Sequence, residues 1–106
     1  MGCILLESAY EECLSHELIK NGFSIARQVV LPIEYDGIRI DAGYKPDLVI
    51  DGRLIVELKT VTQLLPIHDA QLLTYLRLSG IEVGLLMNFH ANPLMKGVKR
   101  LVLTKR

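Results

Sequence analysis

Apolar and polar positions alternate along the chain with two different periods. Residues 4–20 place Tyr10, Leu14 and Leu18 at helical spacing with no internal Gly or Pro, and Asn21-Gly22 supplies a stop. Phe23 to Tyr35 is rich in β-branched and aromatic side chains and reads as one strand, with Pro32 marking an edge or a bulge. Asp36-Gly37 is a hairpin turn signal, and Ile38-Arg39-Ile40 begins the return strand. Further strands are predicted over 44–50 and 53–59, separated by a turn at Asp51-Gly52. A helix follows over 66–79, with Pro66 in its first turn and Gly80 as its stop. A buried-type strand over 82–89 and a last strand over 98–104 complete the chain, divided by Asn92-Pro93 and Lys96-Gly97. Helix, strands, helix, two strands: the order predicts an α/β or α+β sandwich on a mixed sheet.

The hairpin over 44–59 carries the most information. A two-residue loop at Asp51-Gly52 would mix apolar and polar side chains on both faces. A loop of Ile50-Asp51-Gly52, with Gly52 left-handed, sets Leu48 opposite Leu54 and Pro46 opposite Val56. One face then collects Tyr44, Pro46, Leu48, Ile50, Leu54, Val56 and Leu58, as burial demands. Asp47, Glu57 and Lys59 share the other face, with Asp47 diagonal to Glu57 at roughly 5–8 Å. Two facing carboxylates repel unless something positive lies between them, and Lys59 or a divalent cation would serve. A solvated polar face on a half-exposed hairpin accounts for the same pattern.

On the first helix Glu7 falls within about 60° of Cys3, Tyr10, Leu14 and Leu18 at 100° per residue, central in the apolar stripe. Glu11 lies at its border. A carboxylate facing the core needs a partner or a metal; alternatively Glu7 occupies a first turn, where the helix dipole favours an acid. Cys13 reads as a core position, having no adjacent base. On the second helix His68, Gln71 and Tyr75 form a polar stripe that lines a cleft or faces solvent.

Composition narrows the classes. One domain is expected from 106 residues, 50% of them hydrophobic. The apolar runs are too short for a membrane span or a signal peptide. Two cysteines make no disulfide framework and no zinc spacing occurs, which suits a reducing compartment. The formal net charge is zero, so bulk electrostatics do not mark a nucleic-acid binder. Yet no acid follows Glu82, while Lys96, Lys99, Arg100, Lys105 and Arg106 do: a phosphate contact or a solvated terminal strand.

Pro46-Asp47, nine residues, then Glu57-Leu58-Lys59 resembles the signature of the PD-(D/E)XK nuclease superfamily. Within it the chain resembles the bacterial GxxExxY proteins through Leu5-Leu6-Glu7-Ser8-Ala9-Tyr10-Glu11, residues 32–37, Gly43-Tyr44-Lys45-Pro46-Asp47, Val56-Glu57-Leu58-Lys59, residues 68–76 and Val83-Gly84-Leu85-Leu86-Met87-Asn88-Phe89. Three features depart from that pattern. Ile4 stands where the motif has glycine, Lys45 where the family more often has arginine, and the family's usual upstream helix is lacking, as in a short member or a truncated product.

The resemblance implies a restriction-endonuclease-like fold, a mixed central β-sheet flanked by α-helices, in a single domain over 1–106. It implies that Asp47 and Glu57, with the Leu58 carbonyl and Glu7, bind Mg²⁺ or Mn²⁺. Lys59 would orient or deprotonate the attacking water, and Gln71 would position Lys59 or the substrate. Lys45 and Tyr75 would contact nucleic acid. The expected activity is metal-dependent hydrolysis of phosphodiester bonds in DNA or RNA. The alternative is a catalytically weak or inactive nucleic-acid-binding or protein-assembly module with the same fold. A small neutral domain binds phosphates weakly, so a homo-oligomer or a partner protein is expected, with no membrane and a cytoplasmic location.

Overall fold

The computed structural model describes residues 7–41, 43–91 and 94–104. Helix α1 spans Glu7–Lys20 and α2 spans Pro66–Ser79. The strands are β1 (Ile25–Arg27), β2 (Ile33–Tyr35), β3 (Ile38–Ile40), β4 (Leu48–Ile50), β5 (Leu54–Lys59), β6 (Val83–Asn88) and β7 (Val98–Val102), the last preceded by a 3₁₀ turn at Leu94–Gly97. Five strands form one mixed sheet in the order β1-β4-β5-β6-β7, and β2 and β3 form a separate hairpin. Among the described strands only β5 and β6 run parallel, and α2 connects them. This is the mixed sheet flanked by helices that the element order predicts. None of the described helices is long and apolar enough to cross a membrane.

β5 lies at the centre of the sheet, and its alternation divides the core. Ile55 packs with Leu31, Leu72, Tyr75, Leu76 and Leu86 on the α2 side. Val56 and Leu58 join Leu48 and Ile50 on the other side, under Tyr10, Leu14 and Leu18 of α1. Helix α2 approaches the sheet closely over Gly84 in β6: a Cβ there would stand 2.8 Å from Leu72 Cδ1. Gly84→Val is therefore expected to destabilise the fold by about 1–3 kcal/mol through overpacking, read by urea denaturation.

Four expectations change. The single strand over 23–35 is two, in different sheets, because Gln28 adopts φ 51°, which no strand accommodates. The β4–β5 connection is Asp51-Gly52-Arg53, with Asp51 at φ 52° as well as Gly52 at φ 65°, and Arg53 N–H donates to Ile50 O at 3.0 Å. The register is thus Leu48 opposite Val56 and Ile50 opposite Leu54, two residues from the expected one. A shift of two preserves the faces. Tyr44 packs on the α2 side rather than with Leu48, since the ladder begins at Leu48 and alternation does not extend back to it. Cys13 is exposed, not in the core. Helix α1 buries Glu11 and Ser15 instead.

Candidate active site

The β4–β5 ladder ends at Leu48 opposite Val56. One step further, Asp47 comes opposite Glu57, and side chains replace the ladder. Glu57 Oε1 accepts the Asp47 backbone N–H at 2.7 Å, and Asp47 Oδ2 accepts the Leu58 backbone N–H at 2.8 Å. Each carboxylate satisfies the backbone of the facing strand, so both acids are held at one place. Lys59 follows Glu57 by two residues on the same face of β5, and its Nζ lies 3.8 Å from Glu57 Oε2.

The electrostatics of the group are strained toward the neutral form. Glu57 is 4% exposed. Burial first, and then the charge of Asp47, push its carboxyl up to about 8, against the Asp47 N–H and Lys59, which favour the anion. Glu7, at the start of α1, is exposed as a residue, yet its carboxylate is partly desolvated and raised for that reason. Lys59, His68 and the Thr60 amide pull it back, whereas Asp47 adds to the rise. Glu7 and Glu57 therefore each feel the charges of Asp47 and Lys59.

The remaining expected residues separate. Tyr75 is 4% exposed and lies in the core, edge-on to Tyr44 with ring centroids 6.3 Å apart. It has no face for a nucleic acid; its hydroxyl meets the backbone of Lys45 and is pushed up to about 12 by burial and the nearby acids. Lys45 is exposed. Gln71 is half-buried and its side chain makes no hydrogen bond to the described residues, so none ties it to Lys59.

Two groups that sequence reasoning missed, Gln28 and Arg27, bind the acids of α1. Gln28 donates through Nε2 to Glu11 Oε1 at 2.8 Å and to Asp47 Oδ1 at 3.2 Å. Arg27 donates to Glu11 Oε2 and Glu12 Oε1, both at 2.8 Å, which fastens α1 to β1 and holds the Glu12 carboxyl below its usual range. His68 accepts the Leu65 N–H on Nδ1 at 2.9 Å, closing the first turn of α2 near Glu7. An acidic helix opposite an Arg-Gln pair is a weak sequence signal, and nothing local marks Gln28 as left-handed.

Hard carboxylate oxygens suit Mg²⁺ or Mn²⁺, and Mg²⁺ commonly takes one or two carboxylates, keeping waters and substrate phosphate for the rest. Asp47 and Glu57 meet that requirement. Among the described residues no group of three or more His, Cys, Asp or Glu side chains is placed to hold a metal ion, so the donor set that fits such an ion is the Asp47–Glu57 pair.

Comparison with known proteins agrees with the fold. The crystal structure of SSO0001 superimposes with a TM-score of 0.67 at 21% identity, over 93% of this chain and 50% of that one. The chain thus spans about half the length of that protein. No curated protein matches the sequence. A family model described as the PD-(D/E)XK nuclease superfamily matches residues 1–101. With that match over nearly its whole length, the chain belongs to the PD-(D/E)XK nuclease superfamily.

Proposed function

We propose that this chain is a metal-dependent nuclease of the GxxExxY branch, hydrolysing phosphodiester bonds in DNA or RNA. The observation that carries the reading is the meeting of Asp47 and Glu57 at the unpaired end of β4–β5, with Lys59 on the same face. Asp47 and Glu57 are the metal ligands. The Leu58 carbonyl assists: Lys59 O bonds Phe89 N on the β6 side, so strand alternation turns the Leu58 backbone toward Asp47. Glu7 reaches the group from α1 as a further ligand or water anchor. A bound Mg²⁺ or Mn²⁺ would supply Lewis acidity and a more acidic water. Lys59 orients that water, takes its proton or offsets charge growing on the phosphate.

Substrate binding on a chain of zero net charge is weak without help, so the reading includes a second copy or a partner protein in the cytoplasm, with Lys45 among the phosphate contacts. Divalent-ion titration by thermal shift tests the site. Millimolar Mn²⁺ is expected to raise the melting temperature of the wild type, and Asp47→Ala to remove the rise. Cleavage of labelled DNA and RNA should be lost in Glu57→Ala. A wild type indifferent to Mn²⁺ and equal residual cleavage in both proteins would leave the assembly module instead.

A further inference from the structure

The structure assigns Gln28 as a positioning residue that sets Asp47 and the helix bearing Glu7 at a fixed separation, an inference that rests on the nuclease reading of that site. Gln28 stands one residue beyond β1 and is bound to Asp47 twice. Its backbone N–H donates to Asp47 O at 3.1 Å, and its side-chain amide donates to Asp47 Oδ1 at 3.2 Å. The second hydrogen of the same amide goes to Glu11 Oε1 at 2.8 Å. Both donors of one nitrogen are thereby used, one on the sheet acid and one on α1, a single turn after Glu7.

The backbone shows that this placement is imposed. Gln28 has φ 51°, a left-handed conformation that a non-glycine residue adopts at a cost. Gln28 is also exposed, so burial of its side chain does not offset that cost; its bonds to the two carboxylates do. The local conformation is explained by what it orients. With Oδ2 on the Leu58 N–H and Oδ1 on Gln28, the Asp47 carboxylate cannot rotate, and Glu11, 7% exposed, cannot slide relative to it. Asp47 and the helix that bears Glu7 are consequently held in fixed relation before any ion arrives.

Gln28→Gly separates the side chain from the backbone. Glycine accepts φ 51° and keeps the N–H on Asp47 O, and Arg27 still holds Glu11. The melting temperature should therefore remain close to that of the wild type. In metal-free protein, ¹⁵N-¹H spectra should show the Leu58 amide moving upfield and exchanging roughly tenfold faster in Gln28→Gly, with the Val56 amide unchanged. Mn²⁺ affinity by calorimetry should fall about 10–100-fold. Gln28→Glu keeps the shape but replaces the donor by an anion between two carboxylates, and should lower the affinity at least as far. A Leu58 amide unmoved in Gln28→Gly, or Mn²⁺ bound equally by wild type and variant, overturns the assignment. A wild type that binds no Mn²⁺ while the Leu58 amide still shifts would end the nuclease reading yet keep Gln28 as the residue that positions Asp47.

Discussion

Lys59→Met is expected to lower phosphodiester cleavage about 10²–10⁴-fold at saturating Mn²⁺, the range of a positioned proton-transfer group. The methionine keeps the apolar stem that packs along the end of β5 and removes only the ammonium. The Lys59 side chain is 18% exposed, and its ammonium lies 3.8 Å from Glu57 Oε2, close enough to act on a water at the same carboxylate. Removing a cation beside two acids leaves their negative potential less balanced, so Mn²⁺ should bind the variant no more weakly than the wild type. The loss then falls on kcat alone, and single-turnover rates at saturating metal read it. Lys59→Arg sharpens the outcome. Arginine keeps the charge but does not release its proton, so it restores cleavage if the role is electrostatic and fails if the role is proton transfer. A variant whose defect disappears on raising the Mn²⁺ concentration would reassign Lys59 to charge balance.

That Lys59 shares a face with Glu57 and Asp47 follows from the period of two in a strand, which no loop can alter. The shared face of Asp47, Glu57 and Lys59 is therefore legible in the sequence. Their spacing is another matter. Register depends on how many residues the Asp51–Arg53 connection removes from the ladder; Asp-Gly announces the turn, with Asp51 at φ 52°, but not the third residue, Arg53. The expected diagonal pair is in fact a directly facing one. Faces on helices were harder to read than faces on strands. Cys13, expected in the core, is exposed, while Glu11, expected at the border of the apolar stripe, is buried because the Arg27 and Gln28 donors draw it inward, a long-range contact that apolar periodicity does not encode. Tyr75 likewise reads as part of a polar stripe, but its ring fills the core against Tyr44 while its hydroxyl finds the Lys45 backbone.

The second large effect is on stability without metal. Glu57→Gln is expected to make the protein more stable than the wild type in EDTA, by a few kcal/mol at pH 9. The sign follows from the carboxyl being pushed up to about 8 in the fold, from 4.5 ordinarily, chiefly by burial and then by Asp47. Between those two values the unfolded chain has lost the proton and the folded chain retains it. Folded protein then binds more protons, so stability falls as pH rises, by up to about 1.4 kcal/mol per unit, and levels off above 8. Glutamine carries no such charge, and its carbonyl can still accept the Asp47 N–H that Glu57 Oε1 accepts at 2.7 Å. The rise of Glu7 has the same sign but is present in both proteins and cancels in the difference. Urea denaturation from pH 5 to 9 should show the two stabilities diverging as pH increases; parallel profiles would refute the buried charge. Mn²⁺ should reverse the order, stabilising the wild type more as pH approaches 8 and leaving Glu57→Gln nearly unaffected, because an ion must displace the proton to reach the carboxylate. On the proposed function, the residue whose buried charge makes stability fall with pH is thus also the one whose charge a divalent ion would neutralise.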